Sequence, residues 1–418
     1  MRGPTPTRAT RTGLRPVLHF TPGSGWVNDP VGLVHHDGRY HLFYQYVPDS
    51  TTWQPHCGWG HATSTDLVSW TEHTPALTPG DGDVGCWSGR VLTEPDADAV
   101  LHYTSVNEPD FDLGVVRDAR PRDDDWHTWD KGEVLVAPPE GHDLLAFRDP
   151  SVFRDGPVWR MLVGAGYADT RAAVLSYSSP DLRTWRYDGP LAERTPHPAD
   201  RDTGKLVWEC PHLVELDGRH VLVASVLHDG GTGHVEAAVG NYADGRFTAE
   251  GWVRLTDGPG HYAPTPFTDA DGRLGLIFWI REIADEEGGW AGAMSIPYLL
   301  GLRDGRVRLS PHPGVRRGVR RNPASPMGLD WTPTARHAHL ELRSARGTTA
   351  SLDVEGTTVT VTSAGRSARL PRAEGPVAVL ADGAVLEVCT GAAVAGLPVA
   401  DDTRTAVASD AADVSYWW

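Results

Sequence analysis

Short runs rich in β-branched and aromatic residues, each introduced by an aspartate-centred turn signal, recur along most of the chain. Asp37-Gly38 leads into Tyr40-His41-Leu42-Phe43-Tyr44-Gln45-Tyr46, Asp155-Gly156 into Val158-Trp159-Arg160-Met161-Leu162-Val163, and Asp217-Gly218 into His220-Val221-Leu222-Val223-Ala224. Asp271-Gly272 precedes Leu274-Gly275-Leu276-Ile277-Phe278-Trp279, and a fifth turn at Asp98 precedes Val100-Leu101-His102-Tyr103. Asp-Gly favours a tight hairpin, and the runs that follow suit a half-buried strand. The turns are spaced by roughly 54 to 62 residues, which accommodates four-stranded blades with long loops. The pattern predicts an all-β chain whose residues 15–305 form a five-bladed β-propeller. A second echo, Ser64-Thr65-Asp66-Leu67-Val68-Ser69-Trp70 against Ser179-Pro180-Asp181-Leu182-Arg183-Thr184-Trp185, supports the repeat. An ordinary β-sandwich with many hairpins is the competing reading.

The texture changes after about Arg303. Residues 306–330 hold prolines, glycines and Arg316, Arg317, Arg320 and Arg321 with few apolar residues, which predicts a linker or salt-bridged interdomain segment. Beyond it, His337 to Leu342, Ala350 to Val354 and Thr357 to Val361 alternate with period two, and Asp382-Gly383 separates two further apolar runs. A short C-terminal β-sandwich is expected over 331–418.

Composition narrows the function classes. In 418 residues, 46 glycines and 33 prolines suit a turn-dense β protein. A net charge of −17 disfavours nucleic acid or an anionic membrane as partner, and no apolar run is long enough to span a bilayer. The arginine-rich N-terminus lacks the apolar stretch of a signal peptide, so a cytoplasmic location is expected. Cys57, Cys86, Cys210 and Cys389 are too sparse for a disulfide scaffold, and the 19 histidines make no zinc motif. No metal and no cofactor are expected; Cys210 is read as a packed thiol. Oligomeric state is left open.

Three acids stand out: Asp29 in Trp26-Val27-Asn28-Asp29-Pro30, Asp149 in Phe147-Arg148-Asp149-Pro150, and Glu209 in Trp208-Glu209-Cys210-Pro211. Each comes a few residues before an Asp-Gly turn, so all three occupy roughly the same phase of the repeat. Arranged around an axis, such units bring the carboxylates together, the layout of a glycoside-cleaving site.

These motifs also carry a family resemblance. The stretch from His19 to Pro30, Phe43-Tyr44-Gln45-Tyr46, Trp59 to Leu67, Gly85-Cys86-Trp87-Ser88-Gly89, Arg148-Asp149-Pro150, Trp208-Glu209-Cys210-Pro211, Tyr262-Ala263-Pro264 and Trp290 to Pro297 resemble, in order, the β-fructosidases of glycoside hydrolase family 32. The resemblance implies a five-bladed propeller followed by a β-sandwich, and hydrolysis of terminal β-D-fructofuranosyl residues of sucrose or short fructans. It assigns Asp29 as nucleophile, Glu209 as acid/base and Asp149 as the partner of fructose hydroxyls. Asn28 is expected to orient the nucleophile, Arg148 to hold the carboxylates, and Trp208 to limit the solvation of Glu209. Gln45, Trp53, Trp87, Ser88 and Trp279 fall at or near positions lining the sugar pocket, with Tyr262 as a buttress. Val27, Val31, Val47 and Arg90 depart from the family pattern, and Arg90 is a candidate ligand for a substrate phosphate. A fructosyltransferase of the same fold, a non-catalytic sugar-binding propeller and an inverting arabinan-type hydrolase are the alternatives.

Overall fold

The computed structural model describes residues 14–94, 97–195, 206–229, 231–322, 326–409 and 412–417. The architecture is a propeller-like arrangement of four-stranded sheets followed by a β-sandwich. Three antiparallel sheets run consecutively along the chain. Gly85–Glu94, Ala97–Val106, Val115–Pro121 and Trp129–Val136 form the first. Leu144–Asp155, Val158–Tyr167, Ala172–Ser179 and Arg186–Arg194 form the second. Leu206–Leu216, Arg219–His228, Gly231–Ala243 and Arg246–Arg254 form the third.

A nine-stranded sheet joins the two ends of this region. Gly25–His36, Arg39–Val47, Gly58–Ser64 and Thr71–Glu72 connect through Trp290–Met294 to Leu274–Asp285, which pairs with His261–Thr268 and Tyr298–Arg303, and Tyr298–Arg303 pairs in turn with Arg306–Pro311. The join is a parallel pairing of Gly25 with Trp290 and Trp26 with Ala291, so the first strand is latched to one of the last. Asp37-Gly38 and Asp217-Gly218 have positive φ at both residues, as a type I′ hairpin requires. The turn before Val100 involves residues 95–96, which lie outside the described residues.

Within the segment 306–330 the described residues up to 322 form a strand and a helix held by ion pairs. Val307 and Leu309 alternate inward on Arg306–Pro311, which extends the nine-stranded sheet. His312 then caps the helix Pro313–Arg321 by accepting the Gly314 N–H, and Pro313 fits the first helical position. The helix buries Val315 and Val319 against Leu18, Val68 and Trp417. The arginines that made this stretch look like a linker are its staples: Arg316 forms a fork with Asp330 at 2.6 and 2.9 Å, and Arg321 reaches Asp66 at 3.0 Å. The sandwich begins at Met327 and holds two five-stranded sheets around Leu329, Trp331, Leu340, Leu352, Val361 and Leu386. Among the described residues, no helix is long and apolar enough to cross a membrane.

A buried ionic knot ties the two regions together. Asp382 accepts the backbone N–H groups of Val17, Leu18 and His19 and bonds His19 Nδ1 at 2.8 Å. His19 Nε2 meets Glu387 at 2.9 Å, and the other Glu387 oxygen meets His261 Nε2 at 2.6 Å. Burial alone would lower the His19 pKa, but the paired carboxylates outweigh it and raise it to about 9. Both ring nitrogens face acceptors, so the imidazolium is the form that fits.

The sign of this linkage is fixed by the raised value. Stability from His19 is fully present below its unfolded value near 6.5 and is lost as pH rises through about 9. We expect His19→Gln to lower the unfolding free energy at pH 6 by roughly 2 to 3 kcal/mol. It should also flatten the loss of stability between pH 7 and 9.5. Urea unfolding at three pH values checks this; a variant with unchanged pH dependence would remove His19 as its source.

Candidate active site

The strands nearest the axis each carry at least one extra residue. In the pairing of Leu144–Asp155 with its neighbour, Arg148 and Ser151 face Gly164 and Leu162, so three steps on one strand match two on the other. The same slip occurs between Val27 and Pro30, between Glu209 and His212, and between Tyr262 and Thr265. On Gly85–Glu94 it occurs at Ser88, between Trp87 and Gly89. These are β-bulges. Proline follows the bulge residue in Asp29-Pro30, Asp149-Pro150, Cys210-Pro211 and Ala263-Pro264. Lacking an N–H, proline loses nothing where the ladder is already broken. Gly89 takes that place in the remaining strand, where a Cβ would sit 1.9 Å from the His102 carbonyl oxygen.

The freed bulge N–H groups find side chains rather than ladder partners. Asp149, Cys210 and Ala263 have φ of 65, 47 and 47°, and their N–H groups donate to Thr104 Oγ1, Asp149 Oδ2 and Ser225 Oγ at 2.8 to 3.0 Å. Aligning the bulges stacks the site in layers. By register Trp87, Arg148, Glu209 and Tyr262 are equivalent, and so are Ser88, Asp149, Cys210 and Ala263; the first strand slips a second time between Pro30 and Gly32, and its Asn28 and Asp29 precede Pro30 as Arg148 and Asp149 precede Pro150. Glu209 therefore stands one residue before the position of Asp149, which Cys210 holds, so the roughly common phase expected of the acids holds to within a residue.

The offset gives the acids different surroundings. Asp29 Oδ2 accepts the Ser88 hydroxyl at 2.6 Å and has the Cys210 thiol at 3.7 Å. Burial raises its pKa to about 6, opposed by the Ser88 hydrogen bond and reinforced by the charge of Glu209. Asp149 accepts the Cys210 N–H at 3.0 Å and has its thiol at 3.6 Å. Burial, then Glu209, push the Asp149 pKa up to about 7 against the pull of Arg148. The Cys210 thiol is pushed well above its usual range by burial, so it serves as a packed donor and not as a nucleophile. Glu209 receives Arg148 Nε at 2.9 Å on one oxygen and the Tyr262 hydroxyl at 2.6 Å on the other.

Most residues singled out from sequence converge here. Asn28 bonds Gln45 and takes the Trp26 indole N–H at 3.2 Å. Trp87 meets Trp53 edge to face at 5.6 Å, and Trp26 meets Trp279 likewise at 5.7 Å. One expectation fails. Trp208 does not shield Glu209: neighbours on a strand point to opposite faces, and its ring packs on Trp252 at 4.8 Å in the core. Arg90 gives Nη1 to His212 Nδ1 at 3.1 Å. Sequence reasoning undervalued Tyr262 and missed Asp112 and Phe111. The repeated X-Pro pattern could have flagged Tyr262; no motif marks the loop that carries the others. Among the described residues no cluster of three His, Cys, Asp or Glu is placed to hold a metal ion.

Fold and site together define a propeller-like β protein that sets carboxylates of unlike environment beside a cluster of aromatic rings. Residues 19–313 match the model of the glycosyl hydrolases family 32 N-terminal domain. A sucrose-6-phosphate hydrolase of Escherichia coli is 33% identical over 71% of this chain and 64% of its own length. A raffinose invertase of Escherichia coli is 33% identical over 75% and 68%. The chain thus spans about two thirds of the length of these curated relatives. A Bombyx mori GH32 beta-fructofuranosidase mutant in complex with sucrose shares the fold with a TM-score of 0.82, at 24% identity over 97% of this chain and 94% of that one. The chain belongs to glycosyl hydrolase family 32.

Holding Asp29 partly desolvated costs stability that an uncharged isostere would recover. Its folded pKa near 6 exceeds the ordinary value of 3.8, so the cost vanishes below pH 3.8, grows as pH rises from there and is complete above about pH 6. Asp29→Asn should stabilise the protein by on the order of 1 to 2 kcal/mol at pH 8, with the gain fading toward pH 4. Thermal unfolding across that range checks it; a destabilised variant at pH 8 would contradict the account of Asp29.

Proposed function

We propose that the protein is a retaining β-fructofuranosidase that releases terminal fructose from sucrose or a short fructan. Asp29 attacks the anomeric C2, and Glu209 protonates the departing oxygen. Water, deprotonated by Glu209, then displaces Asp29 from the fructosyl intermediate. Asp149, the most enclosed of the three, accepts hydrogen bonds from fructose hydroxyls as positive charge develops on the ring.

The observation that carries this reading is the contrast between two carboxylates of unlike environment. Asp29 takes side-chain donors from Ser88 and Asn28 and is ionised above about pH 6. Glu209 is fixed through both oxygens by Arg148 and Tyr262, and its side chain remains 14% exposed. A fixed, partly solvated carboxyl can exchange protons with a leaving group and then with water. The names and titles of the relatives support a fructoside as substrate, since they include invertase, fructan exohydrolase and a fructofuranosidase bound to sucrose.

NMR of the first-formed sugar tests the mechanism. Double displacement releases β-fructofuranose from a β-fructoside, and the Asp29 and Glu209 carboxyl groups are expected about 5 to 5.5 Å apart in the substrate complex. Initial release of α-fructofuranose would replace the retaining assignment with an inverting one.

A further inference from the structure

We infer that the protein holds a small monovalent inorganic anion, a halide such as chloride, on the guanidinium of Arg90 between its inner strands. Arg90, Ser151, His212 and Thr265 each stand two residues on from the register-equivalent Ser88, Asp149, Cys210 and Ala263. Side chains two apart on a strand share a face, and three of these four meet. Arg90 Nη1 and Ser151 Oγ approach one nitrogen, His212 Nδ1, at 3.1 and 3.0 Å.

That nitrogen cannot satisfy both. Burial, then the Arg90 charge, hold the His212 pKa well below its usual value, so the ring is neutral. An arginine nitrogen only donates, which makes Nδ1 the acceptor, and a neutral imidazole nitrogen has one lone pair for two donors. The Thr265 hydroxyl is turned to the Pro30 carbonyl at 2.5 Å. Among the described residues Arg90 has no other hydrogen-bond partner, so Nε and Nη2 lack a protein acceptor. Donors are in surplus here, and an acceptor is missing.

The missing acceptor must also bring charge. Burial lowers the Arg90 pKa to about 10, and no carboxylate stands near enough to raise it, so at neutral pH the guanidinium is a cation in the interior. Arg148 has Glu209 and Asp112, and Arg117 and Lys131 share Asp83; Arg90 has only the neutral His212. An interior charge without a counter-charge is strongly unfavourable, and an anion bound through several N–H groups cancels it. Ser151, His212 and Thr265 are each 2% exposed, whereas Arg90 keeps part of its surface open, and Nε and Nη2 are not sealed from a group the size of water. The space therefore admits a small ion. One charge is to be neutralised, and Asp29 and Asp149, two residues back or nearly so on neighbouring strands, would repel a second.

Crystals of the full chain grown with sodium bromide and measured at the bromine absorption edge should show an anomalous peak against the Arg90 guanidinium. In solution, replacing gluconate with chloride at constant ionic strength should raise the unfolding temperature by ~1 to 2 °C along a saturating curve. Arg90→Met, which fills similar space without donors, should lose both the peak and the saturable rise. No peak at Arg90 in the unaltered protein would overturn the inference, water then being the occupant. A peak without saturable stabilisation would mean an adventitious ion only and would overturn it too, as would a saturable rise that persists in Arg90→Met. If Arg90→Met does not fold, the two measurements on the unaltered protein decide.

Discussion

On each innermost strand at least one residue more than the ladder can pair is inserted. An ordinary strand would turn alternate side chains into the space between sheets; the bulge rotates a consecutive pair toward the axis instead. Asn28 and Asp29, Arg148 and Asp149, and Glu209 and Cys210 are such pairs. The extra residue leaves a backbone N–H without a ladder partner, and a neighbouring sheet supplies the acceptor: Thr104 for Asp149, Asp149 for Cys210, Ser225 for Ala263. Sheets that hold one another through these groups fix the carboxylates to within the tolerance that bond cleavage demands. Gly164 completes the constraint, because a Cβ there would meet the Trp208 carbonyl oxygen at 2.3 Å and drive the two sheets apart.

Placing several carboxylates in so small a space is unfavourable, and their environments divide the burden. Asp29 and Asp149 are both raised by burial, and the charge of Glu209 raises them further. Ser88 and Cys210 offset part of this with donors, while Arg148 supplies a full positive charge held against Trp87 at 5.7 Å. Stability lost in the pocket is compensated at a distance. The knot of His19, Asp382, Glu387 and His261 lies in the joint between propeller and sandwich, and two of its members, His19 and His261, come just before the Gly25–His36 strand and at the start of His261–Thr268. Both strands carry site residues, so the sandwich steadies the pocket without entering it.

Much of this was legible in the sequence because the bulge leaves a mark. A polar pair followed by proline recurs at Asn28-Asp29-Pro30, Arg148-Asp149-Pro150 and Glu209-Cys210-Pro211, and the turns around it set the repeat. What was not legible depended on facing and on distance. Trp208 adjoins Glu209 in sequence yet lies across the sheet from it, since alternation outweighs adjacency. Asp112 reaches Arg148 only because a loop with no motif of its own packs on a strand that begins some thirty residues later. Arginines masked the alternation of Val307 and Leu309, so a strand and a helix were read as a linker.

The central claim is that Asp29, placed by its bulge and held by Ser88, forms the covalent bond to the sugar. Trapping tests it most directly. In Glu209→Ala, an activated β-fructoside with a leaving group that needs no protonation should form the fructosyl intermediate faster than water removes it. Peptide mass spectrometry after rapid acid quench should then find one fructosyl group on the peptide containing Asp29. A label on Asp149 or Cys210 would contradict the account, as would turnover of the activated fructoside with no labelled peptide at any time.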